Sequence, residues 1–331
     1  MAYEPTVETA TPAEATPTHP PGRLRRIFLG PAGLRAGWSF LLFVGLLFVA
    51  QVVIGLVWDR VLDPPPDVPW DPFWIAVGEA LTLLSALFAI AVMSRVEGRS
   101  FGEYGLALRR ILGWRFWEGV LWGLAVVAGI VLPLWAVGGY SVSSVHTQGA
   151  ALVTQALLWG LAFLMIGLAE EALFRSYALY TLARGMGFWP AAVALSTLFG
   201  ALHYFLKPDE SWIDGASTGL LALFLCLAVR RTGDIGLAAG FHAAFNFAAL
   251  FLFGGSNSGN GGEPIPGRLL DASFDGPRWL TGGPTGLEAS VFVFLVLAVV
   301  FPLFHIRHPT ARFTPRSGNE GGGGERVSGA S

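Results

Sequence analysis

The most constraining feature of this chain is the recurrence of apolar stretches of membrane-spanning length. Eight of them occur, at about 38–58, 72–94, 117–138, 150–172, 188–206, 215–229, 235–254 and 287–306, against the ~20 residues that an α-helix needs to cross the hydrocarbon core. In lipid every backbone N–H and C=O must be satisfied within the structure, which leaves helices and closed barrels. The runs are continuous and do not alternate with period two, so they select helices. Composition agrees, because 53% of the 331 residues are hydrophobic and only 13% are charged, outside the range of ordinary soluble domains. The expected fold class is all-α, a polytopic transmembrane helical bundle of about eight spans.

Arginine placement sets the expected orientation, since Lys and Arg near span ends stay on the cytoplasmic side. Arg23, Arg25, Arg26 and Arg35 precede the first span, and Arg95, Arg99, Arg109, Arg110 and Arg115 follow the second. Arg184, Arg230, Arg231, Arg307, Arg312 and Arg316 mark the later alternate loops. The opposite loops hold only Arg60, Lys207, Arg268 and Arg278, with acids such as Asp59, Asp63, Asp67 and Asp71. An even number of spans with both termini cytoplasmic satisfies this bias, and a multi-pass protein of the plasma (cell inner) membrane is expected. Three regions follow. Residues 1–30 are a disordered cytoplasmic tail, 31–306 the transmembrane domain, and 307–331 a flexible cytoplasmic tail rich in glycine and serine. No internal repeat stands out. The net charge of -2 and the lack of a basic stripe argue against a nucleic-acid partner. Membrane lipid is the expected surroundings. The single cysteine, Cys226, excludes an intrachain disulfide.

Ionisable groups inside spans cost at least ~2.5 kcal/mol each at the helix centre, so they are the place to look for function. They include Glu79, Glu170, Glu171, Arg175, His203 and His242, with Asn246 beside the last. Positions i and i+4 share a helix face, so Glu171 and Arg175 can pair while Glu170, turned about 100° away, addresses another neighbour. In "FGALH" the ring of Phe199 lies one turn from His203, and in "GFHAAFNF" His242 and Asn246 lie one turn apart. Each motif alone reads equally as a solvated helix end or a structural contact. Together, two imidazoles, a spare carboxylate and a carboxamide on three spans are the parts of a pocket that activates water. A carboxylate can take the proton of a water attacking a carbonyl. An imidazole can hold that water or protonate the leaving amine, and a histidine or asparagine can donate to the oxyanion.

These residues resemble the CPBP or Abi family, the CAAX prenyl endopeptidases and bacteriocin-processing enzymes. "EEALFR" fits its EExxxR motif, "FGALH" its FxxxH motif and "HAAFN" its HxxxN/D motif, in the family order. The resemblance covers about 97–251, including "EGRSFGEYGL" before the third span. It implies an intramembrane endopeptidase acting on a membrane-associated or lipidated peptide or protein, with Glu170 as base and Glu171 and Arg175 in support. His203, His242 and Asn246 would complete the pocket, with Phe199 packing on His203. Members include enzymes that trim prenylated C-terminal tripeptides, but a prenylated substrate is not expected here.

No cofactor is expected. Two histidines and a carboxylate (Glu170, His203, His242) would also suffice as a first shell for zinc or another divalent metal, although no HExxH occurs. The rival class is a non-enzymatic membrane protein, a proton-coupled transporter or a binding scaffold, using the same buried Glu and His residues. Glu79 reads as a bundle-facing acid bonded to a neighbouring helix. His146, among Ser141, Ser143 and Ser144, could belong to a serine hydrolase but lacks a GxSxG elbow. The loop 254–287 reads as a mobile connection, and the pocket is expected to open to the cytoplasm or laterally to lipid. Depth poses a difficulty. Glu170 falls near the inner end of its span, whereas His203 lies some 15 residues along the next, roughly 22 Å by helical rise. The two agree if the fourth helix continues through Tyr180 toward Arg184, placing Glu170 deeper, and if the fifth is tilted or enters late after Pro190.

Overall fold

The computed structural model describes residues 27–30, 33–62, 64, 70–207 and 211–313. Residues 1–26 and 314–331 of the expected tails, with Arg23, Arg25, Arg26 and Arg316, lie outside the described residues, as do Asp63 and Asp67. The helices are α1 (Ala36–Val57), α2 (Pro72–Glu97), α3 (Trp114–Ala136), α4 (Gly149–Phe174), α5 (Tyr177–Met186), α6 (Phe188–Leu206), α7 (Trp212–Thr232), α8 (Gly236–Asn246) and α9 (Val291–Arg307). Strands β1 (Ser141–Val145) and β2 (Leu270–Ser273) form a two-stranded antiparallel sheet.

The chain is a multi-pass, all-α membrane bundle. Among the described residues, six segments are long and apolar enough to cross a bilayer: Ala36–Leu62, Pro72–Glu97, Trp114–Ala136, Gly149–Met186, Phe188–Leu206 and Trp212–Thr232. The seventh and eighth expected spans are shorter apolar helices, Gly236–Leu252 and Val291–Arg307. At ~1.5 Å per residue, 17-residue helices reach only about 25 Å, short of the ~30 Å hydrocarbon thickness.

Local chemistry sets the helix ends. Asp71 caps α2 by accepting from the N–H groups of Phe73 and Trp74 at 2.9 and 3.1 Å, with Pro72 in the first turn. Gly98, at φ 64°, ends the same helix in a left-handed conformation that costs glycine little. Ser211 and Asp214 form a capping box on α7.

Backbone contact between helices places the central ones. A Cβ at Gly240 of α8 would lie 2.0 Å from the carbonyl oxygen of Phe116 in α3, and one at Gly119 would lie 2.0 Å from that of Leu237. These two glycines let α3 and α8 touch along their backbones, the close approach that small residues give membrane helices. Gly200 does the same for α6 against α7, where a Cβ would meet the Gly215 carbonyl oxygen at 2.2 Å.

The fourth apolar span continues past the "EEALFR" motif. After a break at Arg175 and Ser176, where the Ser176 hydroxyl bonds back to the Ala172 carbonyl, the chain resumes as α5, giving a segment of 38 residues, Gly149–Met186. The turn at Gly187 (φ 86°) leads directly into α6, with Pro190 in its first turn, where proline needs no N–H partner. Glu170 stands 16 residues before Met186 and His203 stands 15 after Phe188. Nearly equal distances along the chain from one turn reduce the depth difficulty through the first adjustment, and the late entry after Pro190 does not occur, since α6 begins at Phe188.

The loop 254–290 is packed, contrary to the expectation of a mobile connection. Ser258, Ile265, Thr285, Leu287 and Ser290 are buried. Its β2 pairs with β1, the Trp159 indole N–H donates to the Pro266 carbonyl at 2.8 Å, and the buried Asp214 accepts from the Thr285 hydroxyl at 2.7 Å. At the other end of the bundle the first residues assigned to the C-terminal tail also pack. The Arg312 N–H donates to the Arg230 carbonyl, and the Phe313 ring lies 4.1 Å from Tyr180 and 4.9 Å from Phe188.

Candidate active site

Glu171 is fully buried on α4. Its Oε1 accepts from Arg175 Nη1 at 3.2 Å, the one-turn pair expected from the sequence, and lies 3.0 Å from His242 Nδ1 on α8. A carboxylate can only accept, so Nδ1 of His242 carries the proton. The Arg175 guanidinium, 1% exposed, lies 4.5 Å from the centroid of Phe199 on α6 and so binds its partner helix through a cation–π contact. One ion pair therefore ties α4, α6 and α8 together. This gives Glu171 and Arg175 a structural task with a defined cost, because an unpaired buried charge destabilises by ~3–5 kcal/mol.

Glu170 turns the other way. Its Oε2 lies 3.6 Å from His242 Nε2, beyond hydrogen-bond length, and makes no hydrogen bond among the described residues. His242 thus stands between two carboxylates, bonded through Nδ1 to Glu171 and facing Glu170 with Nε2. His203 is fixed in a comparable way. Its Nδ1 lies 3.0 Å from the Phe199 carbonyl oxygen and its ring is 4.5 Å from the Phe199 ring. The carbonyl accepts, so Nδ1 is protonated and the neutral ring presents a lone pair at Nε2. α8 widens into a π-helical turn over Phe247–Leu252, immediately after Asn246.

Glu170, Arg175, Phe199, His203, His242 and Asn246 all line one cavity of about 220 Å³. Phe163, Ile166, Leu221, Leu225, Phe245 and Leu250 contribute its apolar wall. The structure thereby brings every catalytic and supporting residue expected from the sequence to one place, with Glu171 directly behind the wall.

Sequence reasoning missed part of the site. Glu79 on α2, read as bonded to a neighbouring helix, lines the cavity and lies within electrostatic range of Glu170 and His242. Its position among the few intramembrane acids was the signal. Asn257 and Glu288 from the packed loop, Lys207 and Trp70 complete the wall. The Trp70 indole lies so close over Gly259 that a Cβ there would sit 2.4 Å from Cζ2. The cluster at His146 has no triad geometry. His146 Nδ1 and Ser144 Oγ both bind Asp271, at 2.8 and 2.9 Å, so the aspartate stands between serine and histidine. The alternative metal set of Glu170, His203 and His242 borders the same cavity, but no three His, Cys, Asp or Glu side chains among the described residues converge closely enough to hold a metal ion.

The result is a polar chamber enclosed by apolar helices, with carboxylate, imidazole and carboxamide facing one space. Residues 152–248 match the family model described as type II CAAX prenyl endopeptidase Rce1-like, in agreement with the motif order. That segment runs from α4 through α8 and contains all the polar residues that the motifs supply. No curated protein matches the chain.

Proposed function

We propose that the protein is an intramembrane endopeptidase that hydrolyses a peptide bond in a membrane-associated peptide or protein, with Glu170 activating the water. The observation that carries this reading is the contrast between two adjacent glutamates. Each has one unbonded oxygen, but Glu171, 0% exposed, is held through Oε1 by Arg175 and His242 behind the wall, whereas Glu170, 26% exposed, lines the cavity itself.

In this mechanism water attacks the carbonyl carbon of the scissile bond while one of its protons passes to Glu170. His203, with its lone pair at Nε2, accepts a hydrogen bond from the same water and orients it. Asn246 donates through its carboxamide N–H to the oxyanion of the tetrahedral intermediate, a task that a neutral His203 in this tautomer cannot perform. The C–N bond then breaks, and the amine leaves with a proton supplied by Glu170, directly or by way of His242 Nε2. Glu171 fixes the His242 tautomer through its contact with Nδ1, so it is a positioning residue.

The test compares membrane peptides from cells carrying the wild-type chain with those from cells carrying Glu170→Gln. A precursor that accumulates only with the variant is expected. Identical peptide profiles, together with proton-coupled uptake by the purified protein in liposomes, would move the site to the transporter class.

A further inference from the structure

We propose that the catalytic cavity opens to the arginine-poor face of the membrane and takes its substrate there, as a short extended stretch of a membrane-anchored chain exposed on the extracytoplasmic side. The substrate class rests on the peptidase reading above, while the direction of access stands on geometry alone.

The cavity runs from Glu170 and Arg175 toward one end of the bundle only. At that end its polar wall includes Lys207, immediately after α6, with Asn257 and Glu288 from the loop 254–290, and Trp70 precedes α2 at the same end. Toward the other end the floor is closed. Glu171, Arg175, Ser176 and Tyr177 are at most 1% exposed, and beneath them Glu97 accepts from the Tyr177 hydroxyl at 2.8 Å and from both terminal nitrogens of Arg184 at 3.0 Å. A second cavity of about 410 Å³ lies at that end, with Arg99, Arg184 and Arg312 in its wall. It shares no lining residue with the catalytic cavity.

Charge then assigns the two ends to the two sides of the membrane. The closed end carries the arginine-rich loops, which stay cytoplasmic. This differs from both approaches expected from sequence, from the cytoplasm or laterally from lipid. At about 220 Å³ the cavity is smaller than the ~300–1,000 Å³ that encloses a drug-sized ligand. It suits a residue or two of extended chain, and Phe163, Leu225 and Phe245 in its wall favour an apolar side chain beside the cut bond.

Cys226 is the single cysteine and is buried, so Cys226→Ala provides a background for thiol labelling of the full chain. Thr218→Cys places a thiol on the cavity wall, and Gly102→Cys places one in the cavity at the arginine-rich end. The probe is a membrane-impermeant sulfonated maleimide, applied to right-side-out and to inverted membrane vesicles. Thr218→Cys is expected to label in right-side-out vesicles and not in inverted ones, with Gly102→Cys showing the converse. Labelling of Thr218→Cys from the inverted side, from both sides, or from neither while the solubilised protein reacts would overturn the proposal. Ala249→Cys, also on the wall, repeats the readout if Thr218→Cys fails to insert. Labelling needs no turnover, so a missing peptidase activity and a wrong direction of access give different results.

Discussion

Glu97 and Glu170 occupy two polar regions of the same bundle, and their neighbours treat them in opposite ways. Glu97, at the arginine-rich end, is saturated. Arg184 grips it through two parallel bonds of 3.0 Å, and the hydroxyls of Tyr177 and Tyr104 donate at 2.8 and 2.9 Å. Bidentate, charge-assisted bonding of this kind fixes geometry as well as charge, and here it joins the end of α2 to α5 and to the segment before α3. Glu170 has a histidine at 3.6 Å and cavity on its other side. A fully partnered carboxylate has no lone pair to offer a substrate; an under-partnered one does. The contrast separates a joint from a working group within one set of residue types.

That contrast can be broken at several points. The largest effect is expected at the joint nearest the site. Glu171→Ala leaves Arg175 buried without its partner and should destabilise the folded protein by ~3–5 kcal/mol, read as a fall in the thermal midpoint in detergent. An unchanged midpoint would mean that the pair does not hold α4 to α8. Next, Asn246→Ala should lower the cleavage rate by ~10²–10³-fold, the usual result of losing one oxyanion donor, with little change in stability. A variant that melts without slowing the chemistry would assign Asn246 to packing. At the Glu97 joint, Tyr177→Phe removes one hydroxyl bond to a charged acceptor, worth about 1.5–3 kcal/mol, and should leave cleavage by the folded fraction intact.

The smallest effect is expected in the outer sheet, which is exposed. The Ser144 hydroxyl, ahead of the charges of His146 and Arg268, holds the Asp271 carboxyl below its ordinary range. A lowered carboxyl value contributes stability above the unfolded value of ~3.9, and that stability is lost as pH falls through the lowered one. Amide exchange across Leu270–Ser273, compared with Ser144→Ala at matched pH, should therefore diverge only above that acid window. Equal protection at every pH would detach the sheet from this carboxylate.

Much of this arrangement could be read from sequence, for a physical reason. Helical periodicity is local, so the Glu171–Arg175 pair, the Phe199–His203 contact and the shared face of His242 and Asn246 follow from spacing within one turn. The rarity of charge inside apolar runs then selects those residues from the rest. What could not be read depends on distant encounters. The bond from His242 to Glu171 spans 71 residues, and the arrival of Glu79 at the cavity depends on how α2 packs against α4. The loop 254–290 resembles a connection by its glycines, and its order comes from partners elsewhere, the Trp159 indole and the buried Asp214. Apolar length located the eight apolar stretches but ended the fourth span too early, because the polar break at Arg175 and Ser176 is satisfied internally and the helical path resumes as α5.

The most direct measurement compares purified wild-type protein and Glu170→Gln on a peptide library under identical conditions, with folding checked by thermal midpoint. Wild-type protein should cut members of the library, and the variant should melt as wild type does while its rate falls by ~10²–10⁴-fold, the contribution of a general base. A folded Glu170→Gln that cleaves as fast as wild type would contradict the division of labour between the two adjacent glutamates.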